Sequence, residues 1–249
     1  VGISISSYGW QTSYVLMAVV YLVISLPIAL LIRESPRREQ ARKAPEREVR
    51  HFPLSEKEVI IWISSAIMFC CICMSVPIVH LVPMLTDDSR SVEFATSVLL
   101  VLMLSGGVGR ILGGKLGDVI GALPTYMLMS AGQALSVLWF PHIDQAAALY
   151  LLAIFFGFTY SGVMSSILVC VRMMVSARFS ARAMSLTSFF GWSGMGMGGF
   201  FGGMFFDING DYKLSFAFAG FMGVINFAIL CLFYIRIKAQ RIQRIPELA

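Results

Sequence analysis

The sequence predicts an all-α membrane protein with seven transmembrane helices, and three observations lead to that prediction. The 249 residues are 57% hydrophobic and 13% charged, with a mean hydropathy of +0.79, whereas soluble domains are nearer half apolar and a quarter charged. The apolar residues form long runs, and most charged residues fall between those runs. The connecting segments are alternately basic and poor in Lys and Arg, a pattern typical of multi-pass membrane proteins.

Seven apolar runs make up most of the chain. The first, Tyr14–Ile32, has 19 residues without a charge, which is enough to cross a hydrocarbon core of about 30 Å at about 1.5 Å per residue. Pro27 lies inside this run, where a transmembrane helix tolerates it and can bend. The other six runs are Val59–Met84, Phe94–Gly114, Val119–Phe140, Ala146–Val171, Ala183–Phe206 and Leu214–Ile235.

The connecting segments differ in length and charge. Arg33–Lys57 interleaves Arg and Lys with Glu and contains three prolines, so we interpret it as a solvated linker at a cytoplasmic membrane face. A nucleic-acid-binding patch would not carry so many Glu residues, and we expect no nucleic-acid partner. The remaining segments are predicted to be short loops or turns, at Thr86–Glu93, Lys115–Asp118, Pro141–Gln145, Arg172–Arg182 and Asp207–Lys213.

The distribution of positive charge predicts the orientation of the chain in the lipid bilayer. If the linker is cytoplasmic, the cytoplasmic segments hold 17 of the 19 Lys and Arg residues, with Arg110 counted at the inner end of its run, and the outer segments hold only Arg90 and Lys213. Positive charge is retained on the inner side of membranes. We therefore predict a multi-pass protein of a cell membrane, favouring a bacterial inner membrane, with the amino end outside and the carboxyl end cytoplasmic.

The glycine-rich stretch Gly107–Ala122 predicts a sharp reversal of the chain at one membrane face. Part of this stretch, Gly114–Gly121, resembles the signature between helices eight and nine of the major facilitator superfamily, Gly-x-Leu-Ala-Asp-Arg-x-Gly-Arg. The positions that match are Gly114, Leu116, Gly117, Asp118 and Gly121, whereas Val119 and Ala122 stand where basic residues are usual. Two other segments fit the same superfamily. Phe200–Tyr212 is similar to the end of helix eleven, and Gly157–Gly162 is similar to helix ten of the monocarboxylate and oxalate–formate carriers.

The resemblance implies that the chain is the carboxyl-terminal half of a transporter. Residues 1–33 would be the last helix of the amino-terminal half-bundle, 34–57 the cytoplasmic basic linker, and 58–249 the carboxyl-terminal six-helix half-bundle. Two such halves surround a central site near the bilayer midplane. The missing amino-terminal half-bundle is therefore an expected partner, and a small-molecule solute is the expected ligand.

Arg110 is the main candidate for substrate binding. A charge inside an apolar run requires an internal partner or an aqueous cavity, and a guanidinium fits a carboxylate with two parallel hydrogen bonds. The resemblance to the monocarboxylate branch implies the same role, because a substrate-site Arg of that branch stands eight residues before the loop acid, as Arg110 stands before Asp118. The acid that the branch carries one turn earlier is Gly106 here. The alternative is that Arg110 reaches the cytoplasmic headgroups or braces the inner gate.

Three other residues are candidates for contacts with the solute. Tyr160, Ser165 and Trp192 could supply hydrogen bonds or a stacking surface within their apolar runs. Single hydroxyl groups in membrane helices often bond their own backbone instead.

A group of residues around Asp118 is predicted to form an inner gate. Its carboxylate would meet the positive end of the helix that begins near Ser180–Arg182, and it would pair with Arg182 or Arg178. That contact would hold the inner face shut, with Gly114 and Gly121 allowing the turn to move. The alternative is an ordinary solvated aspartate.

Two further features are candidates for conformational change or coupling. In Gly191–Gly203, glycines recur four residues apart, as at Gly194, Gly198 and Gly202, a spacing that lets helices approach closely and slide. His80, near the outer end of its run, could titrate near neutral pH and couple transport to protons. The alternative is an interfacial histidine without a role in coupling.

No catalytic or cofactor-binding constellation is present in the sequence, so we predict that the protein is not an enzyme and needs no cofactor or metal. The three His residues are far apart, and the five Cys residues show no metal-ligand spacing with them. The leading hypothesis is a secondary active transporter, symporter or antiporter, for a small organic anion such as a monocarboxylate. The alternatives are a transporter of the same superfamily for a neutral or cationic solute, such as a drug or sugar, and a non-transporting seven-span membrane protein.

Overall fold

A computed structural model describes the backbone of residues 2–31 and 52–244, and the side chains in those ranges except at 2–8, 10, 177 and 241–244. Within these residues the chain forms seven α-helices and one 3₁₀ turn, Phe140–His142. The helices are α1 (Gly2–Leu31), α2 (Glu56–Asp87), α3 (Val92–Ile120), α4 (Ala122–Val137), α5 (Ala146–Met174), α6 (Ala177–Asn209) and α7 (Lys213–Arg244). Each predicted apolar run corresponds to one of these helices.

The chain divides into two compact units, Val1–Glu48 and Val49–Ala249. In the first unit, α1 is interrupted at Gly9, with φ 75° and ψ 161°, so its kink lies at a glycine and not at Pro27. Only glycine adopts this backbone conformation without strain, and the Ser13 hydroxyl donates to the Gly9 carbonyl at 2.8 Å. Of the predicted linker 34–57, residues 34–51 lie outside the described part of the chain. Its last two residues, Glu56 and Lys57, are helical and begin α2.

Five of the seven helices are long and apolar enough to cross a membrane, namely Gln11–Leu31 within α1, Glu56–Asp87, Val92–Ile120, Ala146–Met174 and Lys213–Gln240. The α4 helix has 16 residues, or about 24 Å, which is shorter than a hydrocarbon core of about 30 Å. The α6 helix has 33 residues, but its many glycines lower its hydropathy. The prediction of an all-helical membrane protein is confirmed, with seven helices, of which five meet the requirements for spanning.

The predicted turn at Lys115–Asp118 is wrong, because α3 continues through these residues to Ile120. The chain breaks at Gly121, which has φ 95° and ψ 151°. Glycine inside a helix only weakens it, so Gly114 does not end α3. A positive φ is accessible to glycine without strain, and this conformation at Gly121 separates α3 from α4.

The predicted basic loop Arg172–Arg182 is also wrong, because only Val175 and Ser176 separate α5 from α6. Arginine is a good helix former, and charge does not interrupt a helix. Ser176 takes an extended conformation, φ −61° and ψ 152°, at the amino end of α6, which is the backbone geometry of a helix N-cap.

Helices α3 and α5 are in direct backbone contact. A Cβ added to Gly109 would overlap the backbone of Phe158, and a Cβ added to Gly157 would overlap the Leu102 carbonyl oxygen. Small residues allow membrane helices to approach in this way. We refer to this contact, centred on Gly109 and Gly157, as the α3–α5 seam.

Helices α2 and α6 are packed by the same means. A Cβ added to Gly194 would overlap the Met68 carbonyl oxygen, and one added to Gly198 would lie 2.6 Å from the Ile72 carbonyl oxygen. Gly202, four residues beyond Gly198 on the same face of α6, packs against the His80 ring. The close helix approach predicted from the glycine spacing of α6 is therefore confirmed.

Buried polar side chains hold the short helix α4 against two neighbours. The Tyr126 hydroxyl donates to Asn226 Oδ1 on α7 at 3.2 Å, and Asn226 Nδ2 donates to Ser130 Oγ. One turn further along α4, Gln133 Nε2 donates to the Cys70 carbonyl oxygen on α2 at 3.1 Å. Hydrogen bonds between membrane helices contribute about 0.6 kcal/mol on average, so together they position a helix with little apolar length.

We predict that Gly109→Ala lowers the free energy of unfolding by about 1–3 kcal/mol, because its methyl group would force the two backbones apart. Gly107, two residues earlier in α3, is the matched control, since no atom lies within 4 Å of its added Cβ. Gly107→Ala should leave stability unchanged or raise it by about 0.5–1 kcal/mol. Denaturant unfolding of the purified protein in detergent measures both changes. Equal stabilities of the two variants would contradict the direct backbone contact at the α3–α5 seam.

Candidate functional site

Arg110 lies on α3 beside the α3–α5 seam. Gly106 and Gly113, four residues before it and three after it, are buried against α5, whereas Arg110 is exposed. The midpoint of α3 is residue 106, so Arg110 stands about 6 Å past the middle of the helix. Within the described residues no hydrogen bond or ion pair joins its guanidinium to another side chain. The seam therefore fixes the backbone around an exposed cation near the middle of a membrane-spanning helix.

Tyr160 and Ser165 lie on α5, on either side of Arg110 along the seam. The Tyr160 ring lies 3.2 Å from the position of a Cβ on Gly106, and its hydroxyl donates to Met103 Sδ at 3.5 Å. Ser165 Oγ lies 3.3 Å from the corresponding position on Gly113, but donates to the Gly162 carbonyl of its own helix at 3.1 Å. The structure thus gathers three predicted site residues at one seam, and the Ser165 hydroxyl is already bonded to the backbone.

Trp192 lies on a different pair of helices. It follows Gly191, which packs against Ile67 of α2, and its own side chain is 75% exposed. No ring contact or hydrogen bond of Trp192 is seen among the described residues. The structure therefore does not bring it into contact with Arg110.

The residues of the predicted inner gate occupy two helices. Asp118 is exposed near the end of α3, and Arg178 and Arg182 lie near the start of α6. In the described part of the chain no ion pair joins Asp118 to Arg182, whose guanidinium lies 5.9 Å from the Phe179 ring centroid. The contact between Asp118 and Arg182 is therefore not formed in this conformation, and the gate stays a prediction. Gly121 is the break between α3 and α4, and Gly114 is helical.

His80 fastens α2 to the glycine-rich helix α6. Its Nε2 lies 2.9 Å from the Gly199 carbonyl oxygen, so Nε2–H is the donor. Four residues earlier along α6, the Met195 carbonyl accepts from Ser75 Oγ at 2.6 Å. The His80 ring centroid is also 5.8 Å from the Tyr212 ring centroid. Burial raises the pKa of the Tyr212 phenol, and the nearby Asp87 carboxylate raises it further. A role of His80 in proton coupling stays a prediction.

Two acids at the start of α2 connect it to other helices. The sequence analysis assigned Glu56 to the linker and gave Glu58 no role. The Glu56 carboxylate accepts from the Ser176 backbone N–H at 2.8 Å, at the junction of α5 and α6. The Glu58 carboxylate pairs with Arg236 of α7 at 3.1 Å. The sequence did contain a signal for them. Ser55–Glu58 is a capping-box pattern, and Ser55 Oγ accepts from the Glu58 N–H at 3.3 Å.

The side chains at this site offer charge and hydrogen bonds. Within the described ranges, no group of three or more His, Cys, Asp or Glu residues could hold a metal ion. The five cysteines are free thiols inside helices, and four of them are buried, which fits a packing role.

A family model described as Major Facilitator Superfamily matches the chain over residues 1–171 and again over residues 74–247. The two matches together cover nearly the whole chain. A search of curated proteins gave no match.

We predict that Glu56→Ala accelerates amide hydrogen exchange at Ser176 by about tenfold or more, because a half-buried charge-assisted hydrogen bond of about 1.5–3 kcal/mol is lost. Exchange followed by mass spectrometry on peptides covering 172–182 measures the effect. Lys57→Ala, one residue away and exposed, is the matched control and should leave exchange unchanged. Glu56→Gln keeps an acceptor and should restore much of the protection. Unchanged exchange in Glu56→Ala would contradict this contact.

Proposed function

Because the chain belongs to the major facilitator superfamily of membrane transporters, we propose that it carries a small organic anion, such as a monocarboxylate, by alternating access. The observation that supports this proposal most strongly is the position of Arg110. The sequence placed this residue four positions before the end of its apolar run, whereas α3 continues for ten residues beyond it. The extra length favours a role inside the protein over contact with the headgroups.

The surroundings of Arg110 suit a small carboxylate. The guanidinium offers a planar fork of N–H donors that can bind both carboxylate oxygens. Gly107, on the same stretch of α3, has no atom within 4 Å of an added Cβ, which leaves room for a ligand close to the backbone. A carboxylate would also neutralise a charge that is costly to expose to lipid. Tyr160 is the neighbouring side chain best suited to contact the rest of the solute.

Alternating access assigns roles to the other predicted residues. We propose that residues 58–249, which hold all of α3–α7 and all but the first two residues of α2, form one half-bundle. Residues 1–33 would supply a helix of the other half, with seven spans in all. The amino end would be outside, and linker 34–57 cytoplasmic. Asp118 would pair with Arg178 or Arg182 when the inner face closes, and Gly114 and Gly121 would allow that movement. Protonation of His80 would strengthen the hydrogen bond from Nε2–H to the Gly199 carbonyl, and this change would couple the cycle to protons.

A neutral or cationic solute is the second candidate, and one surface of α6 favours it. Phe189, Trp192 and Phe200 are exposed at helical spacing on α6, and aromatic faces attract apolar rings and organic cations. In that case Arg110 would be structural. Unlabelled carboxylates would compete with an anionic substrate but not with a neutral or cationic one.

We predict that Arg110→Ala in the full-length protein reduces uptake of a radiolabelled monocarboxylate such as lactate by about 100-fold, with expression unchanged. The estimate assumes the loss of about 3 kcal/mol from a charge-assisted contact made to the substrate. Lys115→Ala, which removes a positive charge from the same helix, is the matched control and should transport normally. Normal uptake by Arg110→Ala would eliminate the substrate role of Arg110.

A further inference from the structure

A cavity of about 540 Å³ lies at the end of the helical bundle where α3, α5 and α7 finish and α4 begins. We refer to this end as the basic end, because Arg172, Arg236 and Lys238 lie there. The lining side chains that matter here are Phe52, Leu123, Met173, Met174, Tyr234 and Ile237. The cavity is ten residues of α3 away from Arg110, so it is separate from the proposed transport site.

The side chains that line this cavity are mostly apolar. Among the lining residues that the structure describes, Tyr234 alone has a side-chain polar group, its hydroxyl. Two methionines, Met173 and Met174, supply flexible walls that adapt to an irregular apolar ligand. These side chains offer few hydrogen bonds to a sugar or a nucleotide, and their apolar surface favours a hydrocarbon chain.

The rim of the cavity is positively charged. Arg172 directly precedes Met173, and Lys238 lies one helical turn beyond Tyr234 on the same face of α7. Both side chains are exposed, and neither has a hydrogen bond or ion pair among the residues that the structure describes. Of the acids that the structure describes at this end, Glu56 accepts from the Ser176 backbone N–H, Glu58 is paired with Arg236, and Asp118 lies two residues before the lining residue Ile120. Asp118 is the exposed carboxylate among these three.

We propose that this cavity binds an anionic phospholipid, with an acyl chain in the apolar pocket and the phosphate against Arg172 and Lys238. The end of a bundle of membrane-spanning helices is the depth of the lipid headgroups, and basic pockets between helices at this depth suit anionic headgroups. The charge of the rim complements a phosphodiester, and the apolar interior complements its acyl chain. A soluble anion lacks the acyl chain, and a zwitterionic lipid carries an additional headgroup cation that the basic rim would repel.

Native mass spectrometry of the full-length protein in detergent tests the proposal, with phosphatidylglycerol titrated against phosphatidylcholine. We predict a preference of the wild-type protein for phosphatidylglycerol. The double variant Arg172→Gln/Lys238→Gln should weaken phosphatidylglycerol binding by about thirtyfold, from about 1 kcal/mol for each basic residue near an anionic lipid. Met173→Trp, which places a bulky ring at the pocket wall without changing charge, should also reduce binding.

The double variant Arg90→Gln/Lys213→Gln is the matched control, because it removes two positive charges from the opposite end of the helices. It should retain the wild-type preference. Equal binding of the two lipids to the wild-type protein, or equal losses in both double variants, would overturn the proposal. Displacement of the lipid by inorganic phosphate, or a second copy of the chain in place of lipid, would overturn it as well.

Discussion

Direct contact between helix backbones at glycines is the constraint on which the described helical bundle depends. Gly109 and Gly157 bring α3 and α5 together, while Gly194 and Gly198 bring α6 against α2. Lipid gives no hydrophobic driving force for helix association, so close packing and polar contacts must supply it. The backbone at such a seam is fixed by the contact, so a side chain that projects from it starts from a fixed point. Arg110, next to Gly109, is a charged residue of this kind. The proposed binding role of Arg110 therefore follows from packing as much as from charge.

Hydrogen bonds to its backbone also hold the glycine-rich helix α6 in place. The carbonyls of Met195, Gly199 and Gly202 on α6 accept hydrogen bonds from Ser75, His80 and Ser215, respectively. A glycine-rich helix lacks side chains that would fix its position, so donors from α2 and α7 hold it through its backbone. His80 differs from the two serines because protonation changes its charge. A protonated His80 would therefore hold α6 more firmly than the neutral ring does.

The sequence was most informative where the physical signal was local and continuous. Long apolar runs predicted the seven described helices, and the glycine spacing of α6 predicted a close approach to another helix, which the structure identifies as α2. Prediction failed at Lys115–Asp118 and Arg172–Arg182, where charge and glycine suggested loops although neither ends a helix. For the polar contacts of α4, the sequence shows only that Tyr126, Ser130 and Gln133 recur at helical spacing; it does not show which residues they bind. Their partners are about 60 to 100 residues away, and no local pattern identifies partners at that separation.

The most direct test of the central claim, that Arg110 presents a cation to a carboxylate, is the effect of ligand on the thermal stability of the purified full-length protein. A ligand that binds the folded state raises Tm, and propionate and propionamide differ in charge while nearly matching in shape. The account predicts that propionate raises the Tm of the wild-type protein, that propionamide does not, and that Arg110→Ala abolishes the difference. Equal shifts with the acid and the amide, or a propionate shift that survives in Arg110→Ala, would contradict it.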